Sequence, residues 1–571
     1  MKKYTPISLL SFGIVSIPFI NPVHLYPDGD FTSQILAFSL SVGLALYATY
    51  KNKKLYISAT SLLLAYLLFA ILLNPQINEY SYSAVLVIFA ATLLSTTVQS
   101  NSRESILWGL ITGTILSCAA GYIQLFDLTE MVKPYVFWEP NNPNATIYGN
   151  IAQRNLFTSY IFIGLLSAIH IYSNASTIKN RSILSTVLIL IAPLLAFSAS
   201  RSIFLYLATS ICLIVIFSRI GLQTDYSRRF LKSLLYSLTV LLICQILATL
   251  FANQETGIKR LAGGDAIRIA EWKKSLSIIL NNLPWGTGWG NYAHYSFLEQ
   301  LKAPSAAQNI TWSHSHNIVI NLLSELGITA IPALAGLIII GTQLIMSLKS
   351  NKKDYFSALA IATLVLHSLL EYPLWYTHFL ALAVTIISTS SLKRTEIPLT
   401  TITKTVIYGA CLSLLTLATI TSFQYTYLVE NTYKSSDQLS NIEKTANFTR
   451  IAANPALSFS ADLSSLNFLP VASGNLRLCL IYRMARSLPT YTLLDKLALE
   501  LYIAEENDSA KRVINSRYRA YPTESEDVFL EDIKGFSKKD QRTIEQDIEY
   551  AKKNKSEEPL YKLEEIIPCN S

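Results

Sequence analysis

The sequence has few charged residues for its length. Asp, Glu, Lys and Arg make up 15% of its 571 residues, whereas a soluble globular domain carries about a quarter. Hydrophobic residues make up 51%, and the mean hydropathy is +0.35. The apolar residues cluster in runs of roughly 17–22, the length needed to cross a bilayer. This composition excludes an ordinary soluble protein and predicts a polytopic membrane protein.

Cysteine is also scarce. The sequence has six cysteines, of which four lie in apolar runs and two, Cys479 and Cys569, lie near the C-terminus. No cysteine spacing resembles a metal site, and the polar loops contain no Asp-rich or His/Asp cluster with ligand spacing. The sequence therefore predicts neither a metal ion nor another cofactor. A disulfide between Cys479 and Cys569 remains an open alternative.

The apolar runs predict about thirteen transmembrane helices. They cover residues 7–22, 32–50, 54–73, 81–98, 104–123, 154–172, 182–198, 202–220, 231–252, 317–347, 355–370, 374–391 and 402–422. We therefore expect an all-α membrane domain over residues 1–422 and a separate C-terminal domain over 423–571. The first run lacks a small-residue cleavage site, so we expect an uncleaved span rather than a signal peptide.

The loops between these runs alternate in charge. Lys and Arg cluster in every second loop, whereas the loops at 23–31, 74–80 and 371–376 contain none. The positive-inside rule then places the N-terminus in the cytoplasm, and an odd number of spans places the C-terminal domain outside. That domain has 19 Lys and Arg against 22 Asp and Glu, so the net charge of +8 comes from the cytoplasmic loops and does not indicate nucleic-acid binding.

The long exported loop, residues 253–316, is expected to have structure of its own. Ile267–Leu283 has helical periodicity and predicts an amphipathic helix on the outer membrane surface. Pro284 ends this helix, and three glycines at 286, 288 and 290 predict a tight turn. The glycine spacing fits neither a dinucleotide-binding motif nor a P-loop.

The C-terminal domain shows helical patterns at Thr490–Tyr502, Asp508–Tyr521 and Lys538–Lys555. The first two suggest a hairpin like that of a tetratricopeptide repeat, but no second copy with that period is evident. Its polar residues form no catalytic constellation. We expect a helical domain without catalytic residues.

Ionisable side chains at the outer ends of spans are the candidate functional residues, because such groups are costly near hydrocarbon. His316 lies at the start of the span at 317–347, and histidine is suited to proton transfer near neutral pH. Arg201 and Arg268 can bind phosphate through their guanidinium groups. Taken alone, each arginine could equally anchor the protein by pairing with the phosphate of a lipid headgroup. His314 has the simpler interpretation of shaping the turn.

Glu371 lies in a second polar segment, between the spans at 355–370 and 374–391. Pro373 ends a helix there, and Trp375 and Tyr376 suit the aromatic belt of a membrane interface. The aromatic belt does not account for the neighbouring carboxyl group of Glu371. Glu325 is expected to hold a neighbouring helix, because it lies about two and a half helical turns from His316.

Several motifs occur together in a fixed order. They are Pro22-x-His24-x-x-Pro27, Gly149-Asn150-x-x-Gln153-Arg154-Asn155, Ser200-Arg201-Ser202, Pro284-x-Gly286-x-Gly288-Trp289-Gly290, His314-x-His316-Asn317 with Glu325-Leu326-Gly327, and Glu371-Tyr372-Pro373-Leu374. This set resembles the bacterial protein O-oligosaccharyltransferases of the PglL type, the pilin glycosylation ligases of the O-antigen ligase superfamily. The resemblance covers roughly residues 18–380.

The resemblance implies a GT-C-like enzyme of the bacterial inner membrane that works on the periplasmic face. Its donor would be an oligosaccharide on undecaprenyl pyrophosphate, and its acceptor a Ser or Thr hydroxyl of a pilin or another exported protein. The family's invariant histidine corresponds to His316, which we expect to be the catalytic base. Direct attack opposite the pyrophosphate would invert the anomeric centre, and the polar loops have no cluster with metal-ligand spacing, so we expect inverting transfer without a metal ion. The substrate-binding residues it implies or supports are Gln153, Arg154, Asn155, Arg201, Arg268, Asn317, Glu371 and Tyr372.

Two alternatives remain. His316, Asn317 and Gly327 match a motif of O-antigen ligases, but Ala330 departs from its last position, which is Gly, Thr or Tyr. The segment at 371–374 and the external domain favour a protein acceptor. An O-antigen ligase acting on lipid A-core, or a related polymerase, is the first alternative, because it shares the donor and the chemistry. A lipid-linked glycan transporter or flippase would usually carry charges near the bilayer midplane and inverted repeats. The predicted spans have neither feature, which disfavours a transporter.

Overall fold

The computed structural model describes residues 5–554 apart from 77–80, 99–101, 140–146, 176, 220–223, 252–255, 262–265, 304–311, 350, 353, 436, 470–473 and 526. The described residues form 24 α-helices and one two-stranded sheet. The chain divides into two compact units. Unit 1 comprises Met1–Phe69, Leu86–Gly264 and Pro332–Ile420, and unit 2 comprises Ala70–Val85, Asp265–Ile331 and Thr421–Ser571.

Eight helical segments among the described residues are long and apolar enough to cross a membrane. They are α2 (Phe31–Lys51), α5 (Arg103–Leu125), α6 (Arg154–Asn174), α7 (Ile178–Phe197), α8 (Ser202–Arg219), most of α9 (Thr224–Phe251), α13 and α14 together (Ile318–Ser347), and α17 (Thr401–Tyr433). The prediction of a helical, multi-pass membrane protein is therefore confirmed.

Five shorter apolar helices fall on the other five predicted spans. They are α1 (Pro6–Ile20), α3 (Ala59–Leu72), α4 (Tyr82–Thr97), α15 (Asp354–Ser368) and α16 (Thr377–Ser388). Each is shorter than the roughly 20 residues that a straight span needs. The predicted number of thirteen spans therefore stays a prediction.

The span predicted at 54–73 begins too early. Residues Lys54–Ser58 form strand β1, which pairs antiparallel with β2 (Arg394–Pro398), with Tyr56 opposite Glu396. The structure agrees with the expected all-α fold class, and this pair of short strands is the sheet among the residues described. A β-branched and aromatic segment that alternates with polar residues suits a strand, but its partner lies more than 300 positions away and is not visible to a local pattern.

The span predicted at 317–347 is interrupted. Helix α13 (Ile318–Leu326) ends at Gly327, a 3-10 turn covers Gly327–Thr329, and α14 (Ala330–Ser347) continues. Gly327 has a φ of +59°. An alanine there would place its Cβ 2.1 Å from the Pro284 carbonyl oxygen, so only glycine fits.

Segments rich in Lys and Arg meet at one end of unit 1. The Arg103 guanidinium pairs with the buried Asp354 carboxylate at 2.6 Å and donates from Nε to the Thr389 carbonyl at 3.1 Å. Arg394 of β2 donates to the Val98 carbonyl at 3.1 Å. The starts of α5 and α15 and the β1–β2 pair therefore lie on the same side, as the charge pattern of the loops predicted.

The long loop that the sequence analysis expected to be exported supplies α10 (Gly257–Leu261) to unit 1 and α11 (Ala266–Asn281) and α12 (Tyr292–Lys302) to unit 2. The helix predicted at 267–283 is thus confirmed as α11. The exposed residues Ile269, Leu276 and Leu280 form an apolar stripe along it. The glycines of the following turn all have positive φ, between 74° and 83°, which confirms the predicted tight turn.

The C-terminal part of unit 2 is a series of helices. They are α18 (Asn441–Ala452), α19 (Ser458–Phe468), α20 (Asn475–Ser487), α21 (Tyr491–Ile503), α22 (Asn507–Ala520), α23 (Asp527–Ile533) and α24 (Lys538–Asn554). Helices α21, α22 and α24 were predicted from sequence, and the other four were not. Helix α12 packs on α20 and α22, where Phe297 stacks on Tyr521 with ring centroids 6.1 Å apart.

The boundary predicted at 422 lies inside α17, which runs without a break to Tyr433. The disulfide considered between Cys479 and Cys569 involves a residue outside the described ones. Cys479 is disulfide-bonded, and the other four cysteines that the structure describes are free.

Candidate functional site

Asn155, at the start of α6, connects three of the motifs found in the sequence. Its Nδ2 donates to Glu371 Oε1 at 3.2 Å, and its Oδ1 accepts from the Ser200 hydroxyl at 2.8 Å. Ser200 is 1% exposed and also bonds the Ser202 hydroxyl at 2.7 Å. The start of α6, the turn between α7 and α8 and the segment after α15 therefore meet at one end of unit 1.

Gln153 is the N-cap of α6. Its Oε1 accepts from the Leu156 N–H at 2.6 Å, satisfying a main-chain donor that a helix start leaves open. The preceding loop is held by the buried Asn150, whose amide donates to two main-chain carbonyls at 3.0 Å each. Arg154 follows as the first residue of the helix and is half-buried. Gln153 thus has a structural role, and its contact with a substrate stays a prediction.

Arg201 lies in the turn between α7 and α8, next to α10. Its Nη1 donates to the Arg260 carbonyl at 3.3 Å. Helix α10 can approach this turn because Gly257 has no side chain, and a Cβ there would lie 3.1 Å from the Ser200 carbonyl oxygen. The structure therefore brings a second cationic residue, Arg260, beside Arg201, which the sequence analysis did not single out.

A group of carboxyl and phenol side chains also belongs to unit 1. Burial, and then the neighbouring Asp28, raise the pKa of Asp30 to about 6. Burial raises the pKa of Tyr372, whose ring stacks on Tyr376 with centroids 5.8 Å apart. Both phenols lie within electrostatic range of Asp30. Sequence analysis missed the two aspartates, although they are the acidic residues of a loop without Lys or Arg.

The same loop carries His24, part of the first motif. The His24 Nε2 lies 2.8 Å from the Asn150 carbonyl oxygen, and burial lowers the pKa of this histidine. Its ring packs on Phe137, with centroids 4.4 Å apart. His24 therefore links the loop after α1 to the loop before α6.

His316 occupies the other candidate centre, in unit 2. It has a φ of +54°, a conformation uncommon for a residue with a side chain and more frequent at functional sites. Its imidazole packs edge-on against Trp312, with ring centroids 4.2 Å apart. It immediately precedes Asn317, whose Oδ1 caps α13 by accepting from Val319 N–H at 3.0 Å. Like Gln153, Asn317 has a structural role, and its contact with a substrate stays a prediction.

Helix α11 holds the residue next to His316. The Trp272 indole N–H donates to the Ser315 carbonyl at 3.0 Å, and the Ser315 N–H donates to Asn321 Oδ1 at 2.9 Å. Arg268 lies one helical turn before Trp272, so the two share a face of α11. Unit 2 thus places Arg268 on the helix that holds the His316 segment.

His314 differs from His316 in its environment. Burial, and then the neighbouring His316, lower the pKa of His314 to about 3. A histidine with so low a pKa is a weak base, so His314 is poorly suited to taking up a proton near neutral pH.

The glycine turn packs directly on the end of α13. Thr287 N–H donates to the Ser324 carbonyl and Gly288 N–H to the Glu325 carbonyl, each at 2.9 Å, and the Glu325 carboxylate accepts from Gly290 N–H at 3.0 Å. The Glu325 carboxylate also interacts with the Tyr292 N–H at the start of α12. The expectation that Glu325 holds a neighbouring helix therefore agrees with the structure, and Glu325 holds the glycine turn as well. Two motifs of the sequence, separated by some 35 positions, form one structural element.

The predicted site residues fall into two groups. Unit 1 contains Gln153, Arg154, Asn155, Arg201, Glu371 and Tyr372, and unit 2 contains Arg268, His316 and Asn317. Among the residues that the structure describes, no group of three His, Cys, Asp or Glu side chains lies close enough to hold a metal ion. The available chemistry is that of guanidinium groups, which bind phosphate, and of an imidazole, which accepts a proton.

These features define a multi-pass membrane protein with polar, cationic and imidazole groups at the ends of its apolar helices. Residues 184–335 match a family model described as O-Antigen ligase. Residues 356–529 match one described as Virulence factor membrane-bound polymerase, C-terminal. The two matches cover the segments that contain Arg201, Arg268, His316 and Glu371.

Two relatives from Acinetobacter baylyi (strain ATCC 33305 / BD413 / ADP1) are similar to the chain. A General O-oligosaccharyltransferase is 23% identical over 396 residues, which cover 65% of this chain and 67% of the relative. A ComP-specific O-oligosaccharyltransferase is 24% identical over 406 residues, which cover 66% of this chain and 70% of the relative. These comparisons confirm the resemblance to the PglL-type O-oligosaccharyltransferases of the O-antigen ligase superfamily and the expectation of a glycosyltransferase.

Proposed function

We propose that this protein transfers a preassembled oligosaccharide en bloc from undecaprenyl pyrophosphate to Ser or Thr hydroxyls of exported proteins such as pilin. The family matches and the names of both relatives support glycan transfer to a protein. The observation that carries the mechanism is the strained His316 at the start of α13, on the unit that also contains Arg268.

In the proposed step, the acceptor hydroxyl oxygen attacks the anomeric carbon of the donor sugar. His316 accepts the hydroxyl proton, a contribution of roughly 10²–10⁴ in rate for general bases. The bond between the anomeric carbon and the pyrophosphate oxygen breaks, and undecaprenyl pyrophosphate leaves with the electron pair. A single displacement of this kind inverts the configuration of the anomeric carbon.

Arg268 and Arg201 are the proposed phosphate-binding residues. Each guanidinium can hold pyrophosphate oxygens bidentately and stabilise the charge that develops on the leaving group. On this proposal no divalent cation takes part. Transfer should persist in chelator and fall strongly in Arg201→Ala and Arg268→Ala, and a strict requirement for magnesium or manganese would contradict the mechanism.

The proposed orientation places the N-terminus in the cytoplasm and the C-terminal helices in the periplasm of a bacterial inner membrane. The charge pattern of the loops supports it. The disulfide at Cys479 also supports it, because disulfides persist in oxidising compartments such as the periplasm. A reporter that is active only in the periplasm should be active when fused after Asn431, and one that is active only in the cytoplasm should not.

The C-terminal helices are proposed to present the acceptor protein rather than to take part in chemistry. Exchanging the chain after Phe423 with that of a related enzyme should change the choice of acceptor and leave the choice of glycan intact. The match to the O-antigen ligase model favours one other candidate, transfer to lipid A-core. Co-expression with a pilin would show whether pilin or lipopolysaccharide gains the glycan.

The direct test compares His316→Ala with His314→Ala in purified protein. His316→Ala should bind the donor but fail to transfer the glycan, whereas His314→Ala should retain activity. Near-normal turnover of His316→Ala would refute the role of the base. A product with retained anomeric configuration would refute the single displacement.

A further inference from the structure

Helices α11 and α13 are joined at both ends in unit 2. At one end, the Trp272 indole on α11 holds the Ser315 carbonyl beside His316. At the other end, α11 runs into the glycine turn, which packs on the last residues of α13. Because α13 is only nine residues long, roughly 13 Å, contacts at its far end also set the position of its first residues.

The packing around the glycine turn, against α13 and against the segment that contains Gln76, leaves no space for side chains. A Cβ on Gly286 would lie 2.5 Å from the Glu325 carbonyl oxygen, and one on Gly288 would lie 2.3 Å from the Gln76 carbonyl oxygen. The Ile328 N–H donates to the Pro284 carbonyl at 2.9 Å. The turn is therefore fixed on α13 by main-chain contacts along its length.

Glu325 contributes the side-chain contact to this packing. It is 0% exposed, and its carboxylate accepts from the Gly290 N–H at 3.0 Å. A buried carboxyl group in an apolar helix is costly unless its hydrogen bonds compensate. Its neighbours Leu322 and Leu326 are apolar, so simple packing of the helix end does not require an acid there.

We propose that Glu325 is a positioning residue for the glycosyl transfer. By fastening the glycine turn to α13, it holds the helix that carries Arg268 in register with the helix that begins after His316. The donor phosphate and the base then keep the separation that in-line attack requires, a geometry in which small displacements have large effects on rate. This inference rests on the proposed roles of Arg268 and His316.

The kinetic test uses three substitutions of Glu325 in the full-length enzyme, with a polyprenyl-pyrophosphate-linked disaccharide as donor and a serine-rich peptide as acceptor. Glu325→Ala should lower kcat by about 10–100-fold, because a misplaced base slows chemistry, with little change in the donor KM. Glu325→Gln keeps the acceptor oxygen and should retain kcat close to that of the wild type. Glu325→Asp is too short to reach Gly290 and should also lose kcat, which covers the case in which the alanine variant fails to fold.

A second measurement is independent of activity. Spin labels at Lys273 on α11 and Val319 on α13, both exposed, report the distance between the helices by double electron–electron resonance in a variant without the four free cysteines. Glu325→Ala should broaden or shift the distance distribution, whereas Glu325→Gln should leave it narrow.

The matched control is Glu299→Ala. Glu299 lies on α12 and accepts from the Ser277 hydroxyl at 2.7 Å and the Asn281 amide at 3.2 Å of α11, so it joins α11 to α12 and not to α13. It should change neither kcat nor the distance distribution. A normal distance distribution or a normal kcat in Glu325→Ala would overturn the positioning role. An active His316→Ala would instead refute the proposed base, whatever the spin labels report.

Discussion

Replacing Asn155 by aspartate turns one hydrogen bond of the unit 1 site into a repulsion. The side chain keeps its shape, and the oxygen that accepts from the Ser200 hydroxyl at 2.8 Å in the wild type is retained. The amide that donates to Glu371 Oε1 at 3.2 Å becomes a second carboxylate oxygen. The variant therefore tests the contact that joins the start of α6 to the segment after α15.

Two limits bound the loss of stability. Two unit charges 3.2 Å apart repel by about 5 kcal/mol at an effective dielectric constant near 20. Protonating one ordinary carboxyl group, with a pKa of about 4.3, costs about 3.7 kcal/mol at pH 7. The protein takes the less costly of the two states, in which one carboxyl group is protonated. The unfolding free energy of Asn155→Asp should therefore be about 4 kcal/mol lower than that of the wild type at pH 7. Because that cost falls by about 1.4 kcal/mol per pH unit, the loss at pH 5.5 should be about 2 kcal/mol.

The assay is the unfolding free energy of four proteins in detergent at pH 7 and pH 5.5. They are the wild type, Asn155→Asp, Glu371→Gln and the double variant. Glu371→Gln alone should change little, and the double variant should recover most of the loss, because the glutamine amide can donate to the introduced aspartate. Equal losses at both pH values, or no recovery in the double variant, would refute the reasoning.

Three further predictions concern stability. Burial and the neighbouring Asp28 raise the pKa of Asp30, so its ionisation destabilises the folded protein as the pH rises from about 4 through 6. Asp30→Asn should therefore raise the unfolding free energy by about 1–3 kcal/mol at pH 7.5 and change it little at pH 4. Arg517 is 1% exposed and pairs with Asp495 at 3.0 Å, so Arg517→Ala should lower the unfolding free energy by about 3–5 kcal/mol, measured by chemical unfolding. The control Lys511→Ala, at an exposed position, should change it little. Gly327→Ala should fail to yield folded protein in a size-exclusion assay, whereas Gly341→Ala, which meets nothing within 4 Å, should fold.

The local features of the fold were predictable from sequence because their causes are local. The period of apolar residues in Ile267–Leu283 gave the position of α11 to within two residues, and Pro284 with its glycines gave the turn. The capping pattern of Ser440 and Glu443, which the structure shows as a complete capping box, is a signal that could have located α18.

The remaining features depend on contacts between distant residues. Asn155 and Glu371 are 216 positions apart, and nothing in either segment specifies the other. The β1–β2 pair and the docking of the glycine turn on Glu325 are of the same kind. Order of motifs along the chain could therefore indicate a site, but the grouping of its residues required the structure.

Polar residues of the motifs serve two purposes that sequence alone does not separate. Gln153 and Asn317 were predicted to bind substrate, yet each side-chain oxygen accepts from a main-chain N–H at the start of a helix. Removing a cap lowers stability by about 1 kcal/mol and disturbs the first turn of the helix. Gln153 is next to Arg154 and Asn317 is next to His316, so the loss of either cap also disturbs a proposed functional residue. Reduced transfer in an alanine variant of either amide would therefore not identify a substrate contact. The arginines and His316 are the positions at which loss of activity in a folded protein bears directly on the chemistry.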